Sequence, residues 1–208
     1  MKRLAILSSV ALLAIISAFV LSTINFGDNG YQVGDTAIDF SLKNVDGKMV
    51  ALADYKDSKG FIIAFTCNTC PFSRANENRL IALDKKYKKL AYPVIAINPN
   101  DHNEKDGESY AAMQKRAREK GFTFPYLYEG EADQKIHAVY GAIKTPHVYL
   151  LNKENGELIV KYVGAIDDSA RDESRVDQKF LENAVDDLLA GVPIQVTSTK
   201  TIGCSIKG

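Results

Sequence analysis

The feature that most constrains this chain is Phe61-Ile-Ile-Ala-Phe-Thr-Cys67-Asn-Thr-Cys70-Pro71, an apolar run that ends in two cysteines and a proline. A short, continuously apolar stretch rich in bulky residues reads as a strand buried on both faces. Pro71 suits the first turn of a helix, where a missing N–H costs least. Cysteines at positions i and i+3 at the mouth of a helix share one face, so they can close a small disulfide ring and reopen it. The unpaired N–H groups and the dipole at a helix start favour an anion and lower a thiol pKa. On this reading Cys67 is the attacking thiolate and Cys70 the resolving thiol. A structural disulfide seldom closes so short a loop, because little unfolded-state entropy is removed. Zinc would need more ligands than one Cys-x-x-Cys offers.

The remaining pattern supplies a sheet and helices around that stretch. Phe40–Val45 and Lys48–Leu52 flank Asp46-Gly47, a turn pair that tolerates positive φ, and predict an N-terminal β-hairpin. Leu80, Leu83, Tyr87 and Leu90 recur at threes and fours and predict a helix after Cys70. Tyr92–Asn98 reads as a second buried strand, followed by a polar loop over 99–108 and a helix from the N-cap Ser109 to Lys120, stopped by Gly121. Phe122–Tyr128 reads as extended and Ala132–Tyr140 as a short helix. Two strands, His147–Leu151 and Leu158–Val163, are joined across Asn155-Gly156. A last helix is expected from about Arg175 to Ala190, ended by Gly191 and Pro193. The order strand, helix, strand, helix, strand pair, helix implies an α/β fold with a central mixed sheet flanked by helices.

Composition excludes some functions and locates others. Lysine plus arginine and aspartate plus glutamate each count 26, so no global field steers the protein to nucleic acid. Met1-Lys-Arg precedes Leu4 to Leu21, a stretch without charge or proline. Residues 1–23 therefore read as a signal peptide or as an uncleaved anchor held in the inner membrane through residues 4–21, since the run approaches the ~20 residues that span a bilayer. Either alternative exports the rest of the chain, to a bacterial periplasm. Residues 24–36 look like a linker, 37–191 like the folded domain and 192–208 like an irregular tail carrying Cys204, the odd one of three cysteines.

From Val33 to Gly191 the chain resembles the redoxin branch of the thioredoxin-like superfamily, thiol oxidoreductases related to peroxiredoxins. The resemblance rests on Cys67-Asn-Thr-Cys70-Pro71, Asn98-Pro-Asn-Asp101, Phe124-Pro-Tyr-Leu127, Tyr140-Gly-Ala-Ile-Lys-Thr-Pro146 and Gly164-Ala-Ile-Asp-Asp168. The tail Ile202-Gly-Cys-Ser-Ile-Lys207 is similar to an ending found in a peroxiredoxin-like subgroup. The family implies a cis Thr145–Pro146 bond beside the cysteines, with Pro146 presenting backbone to substrate. Two family features are missing. Thr66 stands where thioredoxins have tryptophan, and Phe61 to Phe65 include no buried acid, which leaves the proton acceptor of the buried thiol unassigned. The threonine or serine three residues before, and the proline seven before, a peroxidatic cysteine are replaced by Ala64 and Gly60 relative to Cys67.

These observations imply an exported thiol–disulfide oxidoreductase. It would exchange the Cys67–Cys70 dithiol or disulfide with protein substrates, be reset by a redox partner, and need no bound cofactor or metal. Thr66, Thr145, His147 and Cys204 are accessory candidates. The alternatives are a thiol peroxidase with an antioxidant role, and a copper carrier using both thiolates and His147. His102 and His137 read as solvent-facing, Asp167 and Asp168 as turn residues, and Glu108 and Glu119 as solvated.

Overall fold

The computed structural model describes residues 30–100 and 107–207; the expected leader over residues 1–23 and His102 lie outside them. In chain order the strands are β1 (Thr36–Ala37), β2 (Ser41–Asn44), β3 (Met49–Ala51), β4 (Gly60–Phe65), β5 (Val94–Asn98), β6 (Tyr126–Tyr128), β7 (Lys144–Thr145), β8 (His147–Glu154), β9 (Glu157–Gly164) and β10 (Cys204–Ser205). The helices are α1 (Pro71–Tyr87), α2 (Tyr110–Lys120), α3 (Ile136–Tyr140) and α4 (Phe180–Ala190). Eight strands form one mixed sheet in the order β1-β9-β8-β4-β5-β6-β2-β3, and β7 pairs separately with β10.

Every residue of β4 is buried, which is what a central strand covered on both faces requires. Burying side chains such as Phe61, Ile62, Ile63 and Phe65 contributes roughly 1.5–3 kcal/mol each. The period of two along β4 sends Ile62 and Ala64 to one layer, with Leu80, Leu83 and Tyr87 of α1 and Leu181 and Val185 of α4. Phe61, Ile63 and Phe65 face the other layer, with Tyr140 of α3, Phe40 and Tyr31. The hairpin between β8 and β9 turns at Asn155 and Gly156, whose φ values of 52° and 89° are those of a two-residue primed turn.

Three expectations are corrected. The linker does not reach residue 36: Tyr31 is 6% exposed, its N–H donates to the Tyr140 carbonyl, and its hydroxyl accepts from the Ile38 N–H. The last helix starts at Phe180 rather than near Arg175. Asp177 N donates to the Asp168 carboxylate and Asp168 N to the Gln178 carbonyl, which holds 176–178 extended. The C-terminal tail is not irregular throughout. Thr199 N donates to the Val163 carbonyl, Ile206 N to that of Ile143, and Cys204 pairs with Thr145 in an antiparallel ladder.

Topology collects the chemistry at one edge. β4 runs parallel to β5 and antiparallel to β8. The carboxyl ends of β4 and β5 therefore meet the amino end of β8, the crevice position at which open α/β sheets bind their substrates.

Candidate active site

Cys67 follows the end of β4, and Cys70 is the N-cap residue of α1. Both are reduced and buried, 4% and 3% exposed. Thr145 connects them. Its hydroxyl lies 3.0 Å from Cys67 Sγ, and its carbonyl accepts from the Cys70 thiol at 3.3 Å. The Ser73 hydroxyl is 3.7 Å from Cys67 Sγ. The following peptide, Thr145–Pro146, is cis. Beside Pro146 a cleft of about 250 Å³ is lined by Asn76, Ala165, Ile166, Phe180 and Ile202.

The acid that β4 lacks arrives from another element. Glu108, just before the α2 N-cap Ser109, is 1% exposed and reaches back under the Cys67–Cys70 loop. Its carboxylate accepts from Asn68 N at 3.0 Å, Thr69 N at 2.8 Å, the Thr69 hydroxyl, and Asn98 Nδ2 at 2.9 Å. Asn68 also receives a hydrogen bond from the Tyr126 hydroxyl at 3.0 Å. The loop between the cysteines is thus tied to β5, β6 and the start of α2. Glu108 is not solvated, as its sequence position suggested. A carboxylate one residue before an N-cap is ordinarily a surface group, and only the fold turns this one inward.

Both thiols meet Thr145, and their surroundings act on them differently. The neighbouring Cys70, burial and the Glu108 carboxylate all push the Cys67 thiol up, far above its ordinary value. Cys70 is pulled down to about 4, first by the neighbouring Cys67, then by the thiol of Cys204 and the amides of Ser73 and Cys204. The Thr145 carbonyl opposes a Cys70 thiolate. It is outweighed because the N-cap position and the amides favour the anion, and because Glu108 disfavours charge on Cys67. The surroundings therefore act on the two thiols in opposite directions, upward at Cys67 and downward at Cys70. The order expected from sequence, Cys67 attacking and Cys70 resolving, placed the helix start at the first cysteine; α1 begins at Pro71, with Cys70 at its N-cap.

The other candidates divide. Thr145 and Cys204 join the thiols. Thr66 is buried, and its N–H continues the ladder to the Ile97 carbonyl. His147 lies on the Tyr149 face of β8, with ring centroids 4.8 Å apart, in the layer opposite α1. Its Nδ1 is buried with no hydrogen-bond partner among the described residues. No group of three or more His, Cys, Asp or Glu side chains able to hold a metal ion occurs among the described residues, so the copper reading finds no site there. His137 is not simply solvent-facing: its Nδ1 pairs with the buried Glu129 carboxylate. Asp167 is buried against Arg79 at 2.8 Å, an ion pair that fastens the loop after β9 to α1.

Comparison with known families places this arrangement: residues 33–163, more than half of the chain, match AhpC/TSA. The chain belongs to the AhpC/TSA family. Thiol-disulfide oxidoreductase ResA of Geobacillus kaustophilus is 31% identical over 152 residues, 72% of this chain and 79% of its own length. The ResA of Geobacillus thermodenitrificans is also 31% identical, over 61% of this chain and 66% of its own. Two solved structures align with a TM-score of 0.76. One is an uncharacterized conserved protein from Geobacillus kaustophilus, 35% identical, covering 86% of this chain and 94% of that one. The other is a hypothetical protein from Sinorhizobium meliloti 1021, 32% identical, covering 86% and 96%. The fold is the thioredoxin-like redoxin fold, and this AhpC/TSA chain is an oxidoreductase of the thiol–disulfide class.

Proposed function

We propose that this AhpC/TSA protein exchanges its Cys67–Cys70 pair with disulfides of other proteins outside the cytoplasm. The observation that carries the reading is the pair itself: two reduced, buried thiols bridged by Thr145 at the edge where Pro146 opens onto a cleft. The Cys70 thiolate attacks one sulfur of a substrate disulfide, forming a mixed disulfide and expelling a substrate thiolate. Cys67 gives its proton to that departing sulfur and attacks Cys70 Sγ. The second substrate thiolate leaves, and the Cys67–Cys70 disulfide closes. The substrate gains two electrons and the pair loses two; the reverse sequence oxidises a substrate dithiol. The apolar side chains of Ile166, Phe180 and Ile202 suit an extended, unfolded segment of the substrate lying against Pro146. Thr145 and Pro146 position it, and a dithiol partner resets the pair.

Export is supported by Met1-Lys-Arg and the apolar run from Leu4 to Leu21, which serves as a signal peptide or an inner-membrane anchor. No helix of the described residues is long and apolar enough to cross a membrane.

Stopped-flow oxidation of the reduced protein tests the proposal, with insulin as protein disulfide and hydrogen peroxide as the competing oxidant. Insulin is expected to react at least about tenfold faster per molecule, because peroxide gains only the ordinary reactivity of a thiolate. The opposite ranking would replace disulfide exchange with peroxide reduction.

A further inference from the structure

Cys204, the remaining cysteine, lies at the same edge as the pair. It pairs with Thr145 across the β10–β7 ladder, so one residue contacts all three cysteines: its hydroxyl meets Cys67, its carbonyl meets Cys70, and its backbone aligns with Cys204. Gly203 permits the approach. A Cβ there would stand 2.2 Å from the Thr145 carbonyl oxygen, so only glycine lets the tail strand sit this close. The tail is fixed on both sides of Cys204, by the Thr199 N bond to Val163 and the Lys207 N bond to Asn100 Oδ1 at 2.9 Å. The ladder thus sets Cys204 directly across from the residue whose carbonyl the Cys70 thiol meets, which brings the tail cysteine to the pair. Cys204 is also the most exposed of the three, half-buried where the other two are buried.

Resting on the proposed exchange at Cys67 and Cys70, we infer that Cys204 is a third redox thiol that takes over the disulfide, converting Cys67–Cys70 into Cys70–Cys204. In this step the Cys204 thiolate attacks Cys70 Sγ. The Cys70–Cys204 bond forms, the Cys67–Cys70 bond breaks, and Cys67 leaves as a thiolate that takes up, through solvent, the proton Cys204 gave up. One disulfide is present before and after, so no oxidant or reductant is consumed.

The surroundings time the step. While the pair is reduced, burial and the neighbouring Cys70 hold the Cys204 thiol up at about 11, and it is inert. Oxidation of the pair removes the Cys70 charge. Arg171 and Lys207, which favour the Cys204 anion, then act without that opposition. The disulfide moves to a sulfur that a dithiol reductant can reach, and Cys67 is freed inside the fold.

The test is a disulfide map. Full-length protein is reduced, oxidised with one equivalent of cystine, alkylated and digested with trypsin. Cys67 and Cys70 share the peptide 60–74, and Cys204 lies in 201–207. The expected result is a linked 60–74/201–207 species with Cys67 alkylated, and in Cys67→Ser a fall of about tenfold in Cys204 alkylation on oxidation. An internally closed 60–74 peptide with Cys204 fully alkylated, in wild type and without linkage in Cys67→Ser, overturns the third-thiol role and leaves the two-cysteine exchange standing. Absence of any disulfide at Cys67 or Cys70 in wild type overturns both. Cys204→Ser separates these failures, because its 60–74 peptide must still close if the exchange reading holds.

Discussion

Replacing His147 with phenylalanine is predicted to flatten the acid side of the protein's stability curve. His147 sits near the edge of β8, its ring against Tyr149 and its Nδ1 without a hydrogen-bond partner among the described residues. Burial alone pulls its pKa from 6.5 down to about 4. Between those values the unfolded chain binds a proton that the native protein does not, so stability rises with pH across the window. The contribution is fully present above 6.5 and is lost as pH falls through about 4. The fall from 6.5 to about 4 corresponds to about 3.4 kcal/mol in full, and about 2.5 kcal/mol of it is already lost at about pH 4.5. Urea unfolding of wild type and His147→Phe from about pH 7 to about pH 4.5 reads the difference directly, because carboxylates that titrate in the same range contribute equally to both curves. The two curves are expected to diverge by about 2.5 kcal/mol over that span. Parallel curves would refute the reasoning, since they would mean that native His147 accepts its proton as readily as a solvated imidazole.

The cysteines provide the next contrast. In Cys67→Ser, Cys70 keeps its N-cap position and the Ser73 and Cys204 amides, whereas in Cys70→Ser, Cys67 keeps its burial and Glu108. At about pH 6, iodoacetamide should alkylate Cys70 in the first variant at least about tenfold faster than Cys67 in the second, as read by mass spectrometry; equal rates would return the thiolate to either sulfur. Glu108→Gln removes the carboxylate that opposes charge on Cys67, and in the Cys70→Ser background iodoacetamide should alkylate Cys67 faster at fixed pH, as read by mass spectrometry. It also replaces an acceptor facing the Asn68 and Thr69 N–H groups, at a cost of about 1–3 kcal/mol in denaturant unfolding. Gly203→Ala drives a methyl group against the Thr145 carbonyl, and an overpacking penalty of about 1–3 kcal/mol should lift β10 and raise the alkylation rate of Cys70 about tenfold or more. An unchanged rate there would show that the tail does not shield the pair.

The legible part of this protein was local. Continuous bulk along Phe61–Phe65 specifies a strand covered on both faces, Asn155-Gly156 specifies a primed hairpin turn, and Ser109 with Gly121 brackets α2. Each depends only on backbone sterics or hydrogen bonding within a few residues, and each is found as expected. The site reading rests on the same kind of local feature: two cysteines at the end of a buried strand point to thiol chemistry. What sequence spacing could not supply is the set of groups that sorts the two thiols. Glu108 comes from the start of α2, 38 positions beyond Cys70, and Cys204 from the far end of the chain. Both reach the cysteines only because β4, β5 and β8 end at one edge of the sheet. The placement of Cys70 at the N-cap of α1 has the same origin. A one-turn uncertainty in where α1 begins decides which sulfur occupies the N-cap, and that single register change moves the dipole's benefit from one cysteine to the other. A Cys-x-x-Cys motif therefore specifies the reaction class, whereas the identity of the charged sulfur belongs to the tertiary structure.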